Sequence, residues 1–150
     1  MNSKPVSSIE ATTTLRLATA RSDASLQDVA KLLTRTQINL VVICAADGAM
    51  AGVITKTNLV RHIAQPSEVG AQSRAKDIMD TKVTACLPED DLEKVLVMMK
   101  ARHLLHIPVL NEKGVPLGVV NAHDALGAML VDEQYEEALL RDYVLRVGYQ

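Results

Sequence analysis

The sequence is poor in aromatic residues and has no excess of basic ones. It contains no tryptophan and no phenylalanine, and its three tyrosines all lie in the last sixteen residues. Aliphatic side chains must therefore fill the core, and the aromatic platforms on which single-stranded nucleic acids stack are disfavoured. The net charge is −2, and the sequence shows no cluster of lysine and arginine of the kind that binds phosphate backbones. We expect no nucleic-acid partner.

Cysteines and long apolar runs are scarce as well. Cys44 and Cys86 are the two cysteines, and both lie in strand-like apolar segments, which is typical of small buried side chains rather than reactive or bridging thiols. No apolar stretch approaches the ~18 residues that span a bilayer, and Met1 is followed by polar residues rather than an apolar signal segment. We therefore expect a cytoplasmic protein with no membrane partner.

The prominent feature of the chain is an internal repeat. Gly52–Asn58 (GVITKTN) and Gly118–Asp124 (GVVNAHD) each pass from β-branched residues to small polar ones before a helical pattern begins. We name these segments the first junction and the second junction. Their offset of 66 residues also aligns Gly48 with Gly114 and the apolar stripes of two helices. Two copies of a βαββα unit of about 60 residues are therefore predicted.

The predicted elements follow the same order in both copies. In the first copy they are a strand within residues 15–20, a helix on Leu26, Val29, Ala30 and Leu33, a hairpin of residues 38–44 and 50–55, and a helix opened by Asn58. In the second copy they are a strand at residues 83–86, a helix after Pro88, a hairpin of residues 104–110 and 115–120, and a helix opened by Asp124. The small sheet of a single repeat cannot bury both of its faces. We therefore expect an α+β (mixed α/β) fold in which the two repeats pack sheet to sheet about a pseudo-two-fold axis.

The predicted domain organisation has four parts. Residues 1–8 form an N-terminal arm, either loose or docked late; residues 9–72 form the first repeat, residues 73–130 the second, and residues 131–150 a C-terminal helical extension. The first copy has no counterpart of this long helix because Pro66 ends its last helix. The extension either folds back on its own module or packs against a second subunit, and we expect a homodimer.

The motifs resemble those of a tandem pair of cystathionine β-synthase (CBS) domains, the Bateman module, over roughly residues 9–130. The family's motif is a glycine, two apolar residues, threonine or serine, two variable residues and aspartate, and each junction follows it with one departure. Lys76–Met79, Thr84 with Pro88, and His106–Val109 also match the family in order and spacing.

The resemblance implies a ligand site at each junction. In the family, the aspartate binds the ribose hydroxyls of an adenosine ligand and the threonine or serine contacts phosphate. The first junction keeps Thr55 but has Asn58 instead of aspartate, whereas the second keeps Asp124 but has Asn121 instead of threonine or serine. We rank the second junction first, because an amide can donate to phosphate but cannot replace an anionic acceptor. The family pattern also places adenine near Val83, Ala85, Ile107 and Pro108. Separately, we expect His106 to line the cleft between the repeats.

Simpler interpretations of the same residues stay open. Asp124 either contacts a ligand or only caps the last helix, and the same choice applies to Thr55 and Asn58. His103 and His106 have a spacing that suggests metal binding, but no carboxylate or cysteine pair completes a site, so no metal is expected. These histidines and Arg102 either meet phosphates in the cleft or are solvated.

The predicted function is regulatory rather than catalytic. No nucleophile and base occur in a recognisable arrangement, so we expect no enzyme and no required cofactor. We predict a module that senses AMP, ADP or ATP in the cleft between repeats and acts on a separate effector protein. The alternatives are a ligand-free interaction or dimerisation module with degenerate nucleotide sites, or a module for another ligand such as S-adenosylmethionine, NAD or a divalent cation.

Overall fold

The computed structural model describes residues 4–65 and 73–131, which form two similar repeats. The first half contains a 3-10 turn (Val6–Ile9), α1 (Glu10–Leu15), β1 (Thr19–Arg21), α2 (Leu26–Leu33), β2 (Leu40–Cys44), β3 (Met50–Thr55) and α3 (Lys56–Ala64). The second contains α4 (Ala75–Ile78), α5 (Leu92–Ala101), β4 (His106–Leu110), β5 (Pro116–Asn121) and α6, described over residues 122–131. The predicted C-terminal extension, beyond Val131, lies outside the described residues.

The two predicted hairpins are confirmed. β2 pairs with β3 and β4 pairs with β5, both antiparallel. Gly48 and Gly114 lie in the two turns with φ of 87° and 80°, a left-handed conformation that glycine adopts without steric cost. The backbone N–H of Met50 donates to the carbonyl oxygen of Gly114 at 2.9 Å, so the two hairpins also contact each other.

The first sheet has a third strand, β1, which pairs in parallel with β2, but the second sheet has only two strands. The predicted strand at residues 83–86 is therefore wrong, because only Cys86 pairs there, as an isolated parallel bridge to Val109. The reason is proline. In the first repeat, two backbone hydrogen bonds extend the pairing of β1 with β2 at its two ends. The N–H of Val42 donates to the carbonyl oxygen of Ala18, and the N–H of Ser22 donates to that of Cys44. The equivalents of these two donors in the second repeat, 66 residues later, are Pro108 and Pro88, which have no N–H to donate.

The start of the chain packs on the second repeat. The predicted strand within residues 15–20 is wrong in its bounds, because α1 runs to Leu15 and β1 begins only at Thr19. Upstream, the N–H of Val6 donates to the carbonyl oxygen of Asp90 at 2.8 Å, and Val6 is buried in the core of the second repeat. Residues 4–8 thus belong to a docked segment, while the four domain boundaries stay predictions.

Three apolar clusters hold the repeats together. One lies under the helices of the first repeat, and another lies under those of the second. The third lies between the sheets and contains buried Leu40, Val42, Val53 and Val119. Because strands of both sheets contribute to this third cluster, the predicted α+β fold with sheet-to-sheet packing is confirmed. Within the described residues, no helix is long and apolar enough to cross a membrane.

Candidate functional site

At the first junction, Thr55 and Asn58 satisfy each other. Thr55 is the N-cap of α3, and its Oγ1 accepts from the backbone N–H of Asn58 at 3.4 Å. In return, Oδ1 of Asn58 accepts from the N–H of Thr55 at 2.7 Å and from its hydroxyl at 2.8 Å. This reciprocal arrangement is a capping box, which stabilises a helix start. The helix therefore begins at Lys56 rather than at Asn58 as predicted, and both predicted site residues have structural roles.

A carboxylate from the other half of the chain reaches the first junction. Nδ2 of Asn58 donates to Oδ2 of Asp80 at 3.1 Å, and Asp80 is exposed. The backbone of Asp80 pairs with that of Val53, which holds it beside the start of α3. Asp80 thus supplies an anionic group near the position where the motif has asparagine. No pattern in the sequence indicates this contact, which joins residues 22 positions apart.

At the second junction, Asn121 rather than Asp124 caps the helix. Oδ1 of Asn121 accepts from the backbone N–H of Asp124 at 2.9 Å, and the helix begins at residue 122. The interpretation of Asp124 as an N-cap is therefore wrong. Asp124 lies in the first turn of α6, where a carboxylate is favourable because of the helix dipole.

The Asp124 carboxylate forms a bidentate ion pair with Arg16. Nε of Arg16 contacts Oδ2 of Asp124, and Nη2 donates to Oδ1 at 3.1 Å. The remaining guanidinium nitrogen, Nη1, donates to the carbonyl oxygen of Gln37 at 3.3 Å. Hydrogen bonding to Asp124 raises the pKa of Arg16, against the smaller opposing effect of burial. The side chains of Arg16 and Asp124 are 21% and 19% exposed, so this pair is partly shielded from water.

His106 completes the second junction. Its Nε2 lies 2.8 Å from Nδ2 of Asn121 and 3.2 Å from Nδ2 of Asn39. Burial is the main cause that lowers the pKa of His106, and the positive charge of Arg16 lowers it further, while Asp124 acts in the opposite direction. A neutral imidazole therefore lies between two amides, close to an arginine and a carboxylate.

The structure groups only some of the predicted site residues. Asp124, Asn121 and His106 come together at the second junction. Ile107 and Pro108 are buried on β4, and Val83 and Ala85 are partly buried. Val83 packs against the cluster between the sheets, and it follows Asp80, which lies at the first junction. The adenine position built from these four residues stays a prediction.

The other polar candidates are more dispersed. Nη1 of Arg102 donates to Oγ1 of Thr84 at 3.1 Å, and His103 and His123 are exposed. Residues 4–65 and 73–131 contain no group of three or more histidine, cysteine or acidic side chains that could hold a metal ion.

The two junctions therefore differ in their chemistry. The second combines an anionic acceptor, a guanidinium group, amide donors and an imidazole at the N-terminus of α6. Such a set can accept hydrogen bonds from vicinal hydroxyls and donate to phosphate oxygens. The first offers a carboxylate and a capping box. Sequence reasoning missed Arg16, because nothing in a short run of mixed residues indicates a partner 108 positions away.

Comparisons with known proteins agree with this architecture. The family profile for the CBS domain matches residues 1–65 and 75–131. The mitochondrial CBS domain-containing protein CBSX3 of Arabidopsis thaliana is 25% identical over 127 residues, which cover 82% of this chain and 61% of that protein. The homoserine O-acetyltransferase of Methanohalobium evestigatum is 21% identical over 108 residues, which cover 72% of this chain and 21% of that protein. The chain thus spans less than two thirds of these relatives.

Two solved structures of known ligand state share the fold. The CBS domain pair of protein MJ0100, in complex with 5′-methylthioadenosine and S-adenosyl-L-methionine, superposes with a TM-score of 0.72 at 20% identity, covering 88% of this chain and 99% of that one. CBSX2 in complex with AMP gives a TM-score of 0.70 at 14% identity, covering 83% and 97%. With its profile match over most of the sequence and two facing repeats, the chain belongs to the CBS domain family as a tandem pair of CBS domains.

Proposed function

We propose that this chain is a non-catalytic regulatory module that senses an adenosine nucleotide, AMP, ADP or ATP, at the second junction. The observation that carries the proposal is the convergence of Asp124, Arg16, Asn121 and His106 at the start of α6. The carboxylate would accept from the ribose hydroxyls, and the amide and guanidinium groups would donate to phosphate. Adenosine ligands in the similar folds of MJ0100 and CBSX2 support the assignment.

The regulatory mechanism that we propose is a population shift. Arg16 lies between α1 and β1, whereas Asp124 lies in α6 of the second repeat, so their ion pair connects the two halves. A ligand that takes over the Asp124 carboxylate changes this connection and favours one relative arrangement of the repeats. A separate effector protein would read that arrangement, because we assign no effector activity to the repeats themselves.

Thermal unfolding with added nucleotide tests the proposal. Binding to the folded state stabilises it by about 2.7 kcal/mol at a ligand concentration 100 times Kd, so AMP, ADP or ATP at millimolar concentration should raise Tm. Asp124→Ala should abolish the rise, whereas Asn58→Ala should reduce it less. Equal losses in the two variants would contradict the ranking of the junctions, and no rise with any nucleotide would contradict the sensor function.

One observation favours the second candidate function, a ligand-free interaction or dimerisation module. Arg16 already neutralises Asp124, and Thr55 and Asn58 already satisfy each other. Among the described residues, no buried side-chain nitrogen or oxygen lacks a hydrogen-bond partner. Light scattering of the whole chain and of a chain ending at Val131 tests this candidate. A dimer that becomes a monomer on truncation, with no nucleotide-dependent change in Tm, would support it over the sensor.

A further inference from the structure

The carboxylate that a ribose would need is already occupied. Both oxygens of Asp124 accept from the guanidinium group of Arg16, and the third nitrogen of that group is bound to Gln37. Fork-to-fork pairing of this kind is the strongest geometry available to arginine and a carboxylate. Ribose hydroxyls that approach the carboxylate along the same face compete with Arg16, and the cost of displacing Arg16 depends on what the ligand offers in return.

A ligand without an anionic group offers Arg16 nothing. The displaced guanidinium group would keep only the carbonyl oxygen of Gln37 as a described partner, in a site where its side chain is 21% exposed. Leaving a partly buried charge without its counter-ion is unfavourable. Asn121 does not compensate, because its Oδ1 already accepts from the backbone N–H of Asp124. The ligand's ribose hydroxyls would thus replace an ion pair with hydrogen bonds from uncharged donors.

A phosphate group reverses this balance. Phosphate oxygens accept bidentate hydrogen bonds from arginine as carboxylate oxygens do. The proposed function puts phosphate beside Asn121 and His106, which are in contact at 2.8 Å. The guanidinium group is bonded to the Asp124 carboxylate, and the backbone N–H of the same aspartate donates to Asn121, so Arg16 belongs to the same junction. A phosphate bound there would offer Arg16 an anion in place of the carboxylate.

We propose that Arg16 restricts the second junction to adenosine ligands that carry a 5′-phosphate, because it releases Asp124 only when phosphate replaces the carboxylate as its partner. This inference rests on the proposed function and adds a selectivity to it. Uncharged adenosine and adenosine thioethers are rejected because they must break the ion pair without replacing it. Arg16 thus has two roles, as the counter-ion of the empty site and as the phosphate ligand of the filled one.

Isothermal titration calorimetry with adenosine and with AMP tests the inference. The wild-type protein should bind AMP at least tenfold more tightly than adenosine. Arg16→Gln should bind adenosine more tightly than the wild type does and AMP more weakly, so that the preference falls below threefold. Arg16→Lys keeps the charge and should keep a preference for AMP. Arg21→Gln is the matched control, because Arg21 is exposed and its Nε lies 3.7 Å from Oδ1 of Asp23. This variant should prefer AMP over adenosine by the same factor as the wild type.

The outcomes separate the inference from the proposed function. Equal wild-type affinities for adenosine and AMP, or an unchanged preference in Arg16→Gln, would overturn the role of Arg16 and leave the sensor function standing. Absence of binding by both ligands to every variant would overturn both. If circular dichroism shows that Arg16→Gln does not fold, the Arg16→Lys variant tests the inference instead. Lysine forms a weaker ion pair with Asp124, so this variant should bind adenosine more tightly than the wild type does. An unchanged adenosine affinity in Arg16→Lys would then overturn the inference.

Discussion

Asn121 donates a hydrogen bond from its amide to Nε2 of His106 at 2.8 Å, and this contact favours the neutral imidazole. The orientation of the amide is determined, because Oδ1 of Asn121 accepts from the backbone N–H of Asp124 and its other end must therefore donate. Nε2 of His106 is consequently an acceptor, and the ring is neutral with its proton on Nδ1. A single asparagine thus links the cap of α6 to the charge state of the site.

Folding stability should decrease as the pH falls from neutral to acidic values. Burial and the charge of Arg16 lower the folded-state pKa of His106, whereas Asp124 opposes this effect. The stabilisation by neutral His106 is fully present above the unfolded-state pKa of about 6.5. Below that pH the unfolded state binds more protons, so stability is lost as the pH falls through the lower folded-state pKa. Urea unfolding between pH 8 and pH 5 measures the effect.

Two histidine variants assign this pH dependence. His106→Gln keeps a hydrogen-bond acceptor beside Asn121 but does not titrate, so its stability should vary less with pH than that of the wild type. His62→Gln removes a histidine from α3 of the first repeat, and it should retain the dependence. If the free energy of unfolding changes with pH by the same amount in the wild type and in His106→Gln, His106 does not cause the pH dependence.

The sequence predicted the repeat, its hairpins and the core helices because these features depend on local patterns. Turn glycines such as Gly48 and Gly114 and apolar stripes at helical spacing indicate elements directly. The 66-residue offset then related one copy to the other. The junctions were located correctly for the same reason, since each is a strand followed at once by a helix start.

The pairing of charged groups could not be predicted in this way. Arg16 meets Asp124 and Asp80 meets Asn58 because the first residues of each repeat pack against the other repeat. That exchange follows from tertiary packing and leaves no periodic signal in the sequence. The missing strand at residues 83–86 was different, because Pro88 and Pro108 were visible and their absent N–H groups remove the ladder bonds on both sides of Cys86.

The ion pair between Arg16 and Asp124 should show a measurable coupling energy. Both side chains are about a fifth exposed, so the pair is less screened than a surface ion pair, and we expect a coupling of about 1 kcal/mol. A double-mutant cycle of Arg16→Gln and Asp124→Asn, followed by urea unfolding, measures it. The cycle of Arg21→Gln and Asp23→Asn is the control, and it should show no significant coupling because those side chains are 80% and 72% exposed. Similar coupling energies in the two cycles would contradict the expectation that the partly shielded pair is stronger than the exposed one.

Cys86 should be unreactive in the folded protein. Its side chain is buried, and burial together with the charge of Asp90 raises its pKa to about 12. The thiolate that reacts with disulfide reagents is therefore almost absent at neutral pH. In a Cys44→Ser variant, a chromogenic disulfide reagent should detect no rapidly reacting thiol under native conditions and one thiol in denaturant. Rapid labelling of that variant in buffer would contradict the assigned burial of Cys86.

Gly118→Ala should destabilise the protein because β5 and α1 approach each other closely at this glycine. A Cβ atom added at Gly118 would lie 2.8 Å from Oγ1 of Thr13 and 2.9 Å from the carbonyl carbon of the same residue. Thr13 is buried, so its backbone must move, and overpacking of this kind costs about 1–3 kcal/mol.

Gly127→Ala is the matched control, because it makes the same chemical change in α6, where an added Cβ has no neighbour within 4 Å. Alanine is favoured over glycine inside a helix by about 0.5–1 kcal/mol, so this variant should be more stable than the wild type. Urea unfolding of both variants gives the two free-energy changes. Changes of the same sign would contradict the close approach of α1 to Gly118, because helix propensity and steric overlap predict opposite signs.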